Sequence, residues 1–366
     1  MNKVLWISPN LNHYKTKFLN RLCEVTSWDI EVIAGRQISS EGHVQDKGKR
    51  KFQQINLTAN KKSFQYSVTL YITLVKLLAL KRFHTVLMPM EKKHFLLIIF
   101  LFILKKMFCF ELVSYNHPLT KNKVRDLNVE KKITKLFFLL YNKIIFYTEE
   151  SCNWAIQNNL LNEQKAFWAN NTLDTEAIWR QYAFKINTSS EKTIMFIGRL
   201  IPSKRLDMLF QYFKVLKKKI PNVKLIIIGD GPNADLVKKE AKNDQNIFWR
   251  GAIVDENRIC QEMLNTHLVF LPGASGLSIV HSFCYGKPYI TLKDCKSHGP
   301  EISYLEDGNN GLILDNDIIA NTDRISSLLH DNKIYESMCH NAFNKARELS
   351  IDNWCFSIGN AVIDKK

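Results

Sequence analysis

The chain lacks any pair of cysteines at metal-binding or redox spacing. Its eight cysteines, at 23, 109, 152, 260, 284, 295, 339 and 355, never form a C-x-x-C. This excludes a zinc ribbon or a thioredoxin-like motif and predicts reduced, mostly buried thiols. A secretory signal is also lacking, since Met1–Ser8 is a short strand-like run without a long apolar core or small-residue cleavage site. A cytoplasmic location is therefore expected. No apolar run is long enough to span a bilayer. Phe95–Leu104, between Lys92-Lys93 and Lys105-Lys106, would reach only ~15 Å as a helix, about half of a ~30 Å hydrocarbon core. It predicts a buried helix, or one resting at the membrane surface with its lysines reaching outward. Low-complexity tracts, zinc-finger spacing, a basic coiled coil and an aromatic RNA-binding signature are missing too.

What is present is a globular composition with an uneven charge. With 366 residues and 46% apolar content, the chain is long enough for two domains, each with its own core. Net charge is +16, and residues 1–185 hold 28 Lys+Arg against 14 Asp+Glu. The first half thus carries nearly all of the excess. A nucleic-acid binder and a protein on an anionic membrane surface both fit that excess. The stretch Tyr71–Arg82, apolar with a lysine edge, has the composition of a basic amphipathic helix that touches lipid, or of a core helix with a solvated edge.

Short apolar runs alternate with helical stretches, which predicts parallel sheets with helices on both faces. Strands are expected at Lys3–Ser8, Asp29–Ala34, Thr85–Met90, Phe110–Tyr115 and Ile144–Tyr147. In the second half they are expected at Thr193–Ile197, Val223–Gly229, Ile247–Trp249, Leu268–Leu271 and Tyr289–Thr291. The polar residues 186–192 read as a linker, dividing the chain into 1–185 and 193–345, and the amphipathic pattern of 346–366 permits a helix that returns to the first domain. The expected fold class is α/β with two Rossmann-like domains facing across a cleft. Ligands of such sheets bind at strand C-termini.

Several segments of the second half share that wall. The run Pro272–Pro288, PGASGLSIVHSFCYGKP, reads as a strand end, a small-residue turn and a helix from Leu277 to Tyr285, an anion site built of backbone N–H groups and a helix dipole. Strand Thr193–Ile197 leads into Gly198, Arg199 and Lys204, two cations on one turn that suit a diphosphate. The next strand ends in Gly229-Asp230-Gly231-Pro232, where glycine lets a ligand approach the backbone.

Together GRLIPSK (Gly198–Lys204), IIIGDGP (Ile226–Pro232), GLSIVHSFCYGKP (Gly276–Pro288), PEISYLEDGNNGLI (Pro300–Ile313) and the N-x-x-D segment in Ala169–Thr175 resemble glycosyltransferase family four. That family comprises retaining enzymes of the two-domain GT-B fold that use nucleotide-sugar donors. The resemblance implies that Arg199 and Lys204 hold the donor diphosphate and neutralise charge on the leaving nucleotide. It also implies that the amides of Leu277 and Ser278, after Gly276, cradle the phosphates. His117, after a first-domain strand, would lie near the sugar. No metal or other cofactor is implied, and no D-x-D metal motif of the other major glycosyltransferase fold is recognised.

Two family positions depart. Aligning on Gly286-Lys287-Pro288 puts Gly273 and His281 where an E-x7-E pattern is usual, its first Glu on the donor sugar and its second on the ribose. His281 is able to hydrogen-bond a ribose hydroxyl. Glycine offers only its backbone, and Glu301, after another strand on the same wall, is a candidate for the missing acid or a carboxylate stabilised at a helix start. The resulting expectation is transfer of a hexosyl unit from a UDP- or GDP-sugar to a membrane-associated glycan, a lipid-linked oligosaccharide or lipopolysaccharide, by a protein peripheral on the inner face of the plasma membrane. A catalytically inactive paralogue serving as a scaffold and a basic nucleic-acid-binding protein are the alternatives. The absence of nucleic-acid motifs argues against the latter.

Overall fold

The structure is a computed structural model and describes residues 2–9, 11, 13–36, 49–60, 64–117, 127–295 and 297–363. It divides into two compact units. The first comprises Met1–Asp174 and Ile351–Lys366, and the second Thr175–Ser350.

The first unit is built on a seven-stranded parallel sheet. Its strands are β1 (Lys3–Ser8), β2 (Asp29–Arg36), β3 (Gln53–Asn60), β4 (Thr85–Leu87), β5 (Glu111–Asn116), β6 (Lys143–Phe146) and β7 (Ala166–Trp168), in spatial order 3-2-1-4-5-6-7. Its helices are α1 (His13–Thr26), α2 (Val68–Leu80), α3 (Phe95–Phe108), α4 (Asn128–Leu140) and α5 (Glu149–Gln157). Successive side chains of a strand point to opposite faces, so each strand feeds two cores. Leu5, Ile7, Val86 and Leu112 pack with Leu74 of α2, Leu97 and Leu101 of α3 and Phe138 of α4. Val4, Trp6, Leu87 and Val113 face the other way, onto Leu19 and Leu22 of α1 and onto Trp354, Cys355 and Ile358 of the C-terminal helix, Ile351–Ile363. That helix is tied down by Arg21, whose Nε and Nη2 donate to the two Asp352 carboxylate oxygens at 2.6 and 2.7 Å.

The second unit has six parallel strands, β8 (Thr193–Ile197), β9 (Lys224–Ile228), β10 (Ile247–Trp249), β11 (Leu268–Phe270), β12 (Tyr289–Leu292) and β13 (Gly311–Leu314), in order 10-9-8-11-12-13. Its helices are α6 (Thr175–Trp179), α7 (Leu206–Lys219), α8 (Ala234–Asn243), α9 (Glu256–Leu264), α10 (Ser278–Cys284), α11 (Ile318–His330) and α12 (Asn332–Glu348); the C-terminal helix is α13. In both sheets the strand order reverses at one point, between β1 and β4 and between β8 and β11. Diverging connections leave a crevice there, at the strand C-termini.

Each of the ten expected strands coincides with an observed one to within a few residues. Three strands were not expected. Two of them, β3 and β7, are the edges of the first sheet; β3 (QQINLTAN) is mostly polar, and β7 (AFW) is only three residues long. The third, β13, edges the second sheet inside the glycine- and asparagine-rich run 307–314.

The expected domain division at 186–192 is corrected, because residues 175–185 already belong to the second unit. Trp179 Nε1 donates to the Cys284 carbonyl at 3.1 Å, Tyr182 OH to the Tyr285 carbonyl at 3.1 Å, and Phe184 stacks on Phe343 at 4.5 Å. Residues 186–192 are a strap fastened to the same unit, with Asn187 Nδ2 donating to the Asn265 carbonyl at 2.9 Å and Glu191 paired with Lys224 at 2.6 Å.

Candidate functional site

Most of the expected site residues converge at the switch point of the second sheet. Strand β8 pairs with β11, Leu268 opposite Ile194 and Val269 opposite Met195, so the turns that follow the two strands lie side by side. The first turn carries Gly198, Arg199 and Lys204; the second carries Gly273 to Gly276. Their backbones touch: Ala274 N donates to the Ser203 carbonyl at 2.8 Å, and Lys204 Nζ donates to the Ala274 carbonyl. Arg199 projects into solvent, while Lys204 is half-buried. Burial, with the Arg199 cation adding to it, lowers the Lys204 pKa from its ordinary value. A half-desolvated ammonium beside an exposed guanidinium is a place that a polyanion stabilises, by compensating two neighbouring positive charges.

The glycines have structural reasons to be there. A Cβ on Gly229 would lie 1.9 Å from the Gly198 carbonyl oxygen, and one on Gly231 would lie 2.7 Å from that of Leu200. The turns after β8 and β9 therefore interlock, with Leu200 N donating to the Asp230 carbonyl at 2.9 Å. Gly273 is as tightly placed, because a Cβ there would come within 2.2 Å of the Ser203 carbonyl oxygen and 2.5 Å of Lys204 Cα. The turn has closed onto the Lys204 loop, and no side chain fits at 273. A glutamate at this position is incompatible with this backbone.

A polar network supports the second turn from below. Ser275 N donates to His298 Nδ1 at 3.1 Å, and His298 Nε2 lies 2.8 Å from the Leu292 carbonyl, which only accepts. The ring is thus the neutral tautomer with its proton on Nε2, and burial lowers its pKa. Gly299 N donates to the Ser275 carbonyl at 2.6 Å, Tyr289 OH donates to Ser275 Oγ at 3.0 Å, and Ser278 Oγ lies 2.8 Å from Tyr289 OH. Helix α10 starts at Ser278, after Leu277, without a side-chain cap. Ile279 N donates to the Gly276 carbonyl at 3.0 Å, so the glycine turn itself closes the start of the helix.

Glu301 is 4% exposed. It opens the single 3-10 turn Pro300–Tyr304, and its Oε2 stands 3.5 Å from where a Gly276 Cβ would be and 2.3 Å from where a Gly299 Cβ would be. The carboxylate is thus packed against the glycine turn that follows Gly273.

His281 is placed differently from the expectation. Its Nε2 lies 2.8 Å from Glu256 Oε1, and Tyr285 OH donates to the same oxygen at 2.6 Å. The ring nitrogen expected to meet a ribose is engaged with a carboxylate from α9. Glu256, which the sequence reasoning did not single out, puts an acid beside the position where the helix has lost one. The available signal was its place in the first turn after the β10 loop, next to the helix cap Asp255, whose side chain accepts from Asn257 N at 3.1 Å. His117 belongs to the first unit, directly after β5. The structure does not group it with the second-unit residues.

The chain does contain one D-x-D spacing, Asp315-Asn316-Asp317, which sequence reading passed over. Asp317 Oδ1 caps α11 by accepting from Ile319 N and Ala320 N at 3.0 Å each, and Asp315 Oδ1 accepts from Asp317 N at 2.9 Å. Both carboxylates serve the helix start.

Residues 180–345 match the model of the glycosyl transferases group 1 family. Over 169 residues, 45% of this chain, the sequence is 27% identical to a poly(ribitol-phosphate) alpha-N-acetylglucosaminyltransferase of Staphylococcus aureus. Over 186 residues, 48% of this chain, it is 28% identical to a poly(glycerol-phosphate) alpha-glucosyltransferase of Bacillus subtilis. These matches span only 33% and 27% of the two proteins' own lengths. Among solved structures, a glycosyltransferase from Rickettsia africae superposes with a TM-score of 0.73 at 13% identity, over 100% of this chain and 99% of that one. The chain has the GT-B fold, and its residues 180–345 are similar to the glycosyl transferases group 1 family.

Proposed function

We propose that this protein is a retaining, metal-independent glycosyltransferase that moves a hexosyl unit from a UDP- or GDP-sugar to a membrane-associated glycan in bacterial surface-polysaccharide synthesis. The observation that carries the reading is the apposition of Lys204 and Arg199 to the Gly273–Ser278 turn at the switch point. The donor diphosphate would lie between the two cations and the start of α10, with both cations neutralising the charge that grows on the leaving nucleotide. Glu301, packed against Gly276, is the carboxylate we assign to the donor sugar in place of one at 273. Glu256 and His281 together would meet the ribose or base at the far end of the same helix.

Two relatives are named for phosphate-polymer acceptors and alpha linkages, which supports a bacterial surface acceptor and retention from an alpha-linked donor. The basic first half suits an acceptor or a surface that carries phosphates. Thermal denaturation with UDP, GDP and their sugar conjugates tests the donor site: a ligand at 100 times its Kd adds about 2.7 kcal/mol of stability. No stabilisation by any nucleotide would sink the reading, and stabilisation without transfer to any glycan would leave a binding protein in its place.

A further inference from the structure

The exposed apolar residues of this protein are concentrated in one region. Among the described residues 22 large hydrophobic side chains are exposed, and 15 of them fall between residues 66 and 139, all but Tyr66 and Leu127 on the helices that cover one face of the first sheet. On α3 the residues Ile99, Ile103 and Met107 follow one another at four-residue spacing with 44%, 53% and 67% exposure. On α4 the residues Val129, Ile133, Leu136 and Leu139 follow one another at three- or four-residue spacing, with 69%, 37%, 62% and 61% exposure. The buried sides of these helices are apolar as well, so the outer stripe is surplus to the core. The two helices are neighbours, because Lys105 Nζ at the end of α3 donates to the Leu140 carbonyl at 3.0 Å and to Asn142 Oδ1 at 3.1 Å. Helix α2 joins the same layer through Tyr71, whose ring meets Phe100 of α3 at 4.8 Å.

The rim of this layer is basic. The described residues 68–117 and 127–140 contain 10 Lys+Arg and 3 Asp+Glu, and Lys106, Lys132 and Lys135 are exposed. Lys105 and Lys106 both lie over the Phe102 ring, at 4.7 and 5.8 Å, with their stems along apolar surface and their charges at its border. Among the described residues no helix is long and apolar enough to cross a membrane. A polyanionic acceptor would account for the lysines but leaves the apolar stripes unexplained. A second copy of the chain docking symmetrically would bring two lysine rims together, which is repulsive.

We infer that the outer face of α2, α3 and α4 docks onto an anionic lipid surface, with the α3 and α4 stripes entering the acyl boundary and the lysines among the headgroups. This rests on the reading of the acceptor as membrane-associated, and it adds the surface by which the protein reaches it. The apolar stripes and the lysine rim contribute separately, so each is open to change alone.

The test is co-sedimentation of the full chain with vesicles of phosphatidylcholine alone or with phosphatidylglycerol added. Binding should require phosphatidylglycerol and weaken at high salt. Reversing Lys106, Lys132 and Lys135 to Glu should lower partitioning at least ~10-fold, and Ile103→Asp with Leu136→Asp should do likewise. Equal partitioning to both vesicles, or unchanged partitioning by both variants, would overturn the inference. So would a wild-type dimer in sedimentation velocity that the aspartate variant splits. Stabilisation by UDP or GDP, followed on the same samples, is expected to be unchanged in the variants and reports on the donor site independently of the lipid result.

Discussion

At the scale of single residues, the site depends on a lysine and a glycine that exclude alternatives. Lys204 is half-buried, spans to the Ala274 carbonyl, and has its pKa lowered chiefly by burial and next by Arg199. Replacing Lys204 or Arg199 with Ala should cost about 2–4 kcal/mol of transition-state stabilisation, as loss of an oxyanion donor does. In kcat/KM with UDP- or GDP-sugars this is a drop of about 30-fold to 1000-fold, with the fold intact; near-normal turnover in both variants would contradict the diphosphate assignment. The free-enzyme pH profile adds a sign. A lowered pKa means the proton leaves Lys204 at lower pH than from an exposed lysine, so the alkaline limb of kcat/KM should begin below the ordinary lysine range.

Gly273 makes the opposite point. Because a Cβ there meets backbone at 2.2 Å, Gly273→Ala should lower the melting temperature and displace the Lys204 loop. Gly273→Glu should lose stability without gaining activity. A stable, more active Gly273→Glu protein would show that the turn opens in solution and that the acid position is merely vacant.

At the scale of elements, the strand ends and the turns between them carry the electrostatics of the second unit. His267, fully buried just before β11, accepts from Thr193 N through Nδ1 at 3.2 Å and faces the Ser189 carbonyl through Nε2 at 3.1 Å. It is neutral, with its pKa pulled down to about 4, first by burial and next by Lys192. A depressed folded-state pKa gives stability that is complete above the unfolded value near 6.5 and is lost as pH falls through about 4. Protonating it in the fold then costs on the order of 3 kcal/mol. Denaturant midpoints should therefore fall between pH 6.5 and 4, and an NMR titration of His267 with a midpoint near 6.5 would contradict this. Elements were also the level at which sequence reading did best. Buried strands such as β8 and β11 stand out as apolar runs, whereas the edge strand β3 is mostly polar and the edge strand β7 is only three residues long.

At the scale of the whole molecule, the chain is discontinuous in space. It builds one unit, then a second, and ends with α13 in the first. Trp354 of α13 donates through Nε1 to Tyr115 OH at 2.7 Å and meets the Phe18 ring edge-on at 4.9 Å. Trp354→Ala should cost about 3–5 kcal/mol and act on the first unit alone. In calorimetry one transition should move down while the one stabilised by nucleotide stays. A shift of both, or of the nucleotide-stabilised one only, would contradict the assignment of α13 to the first unit.

The sequence by itself determined the α/β class, ten of the thirteen strands and the cations at the switch point, because apolar runs, glycine turns and charged strand-end loops are local signals. It also carried the basic, apolar first half. Only the tertiary structure decided why 273 is glycine, since the obstacle is the backbone of Ser203 and Lys204 some seventy positions earlier. It alone brought Glu256 to His281 across two helices and placed Glu301 against Gly276. It moved residues 175–192 into the second unit as well, through side chains that bind far along the chain. These are contacts between positions that no local pattern links, and packing alone selects them.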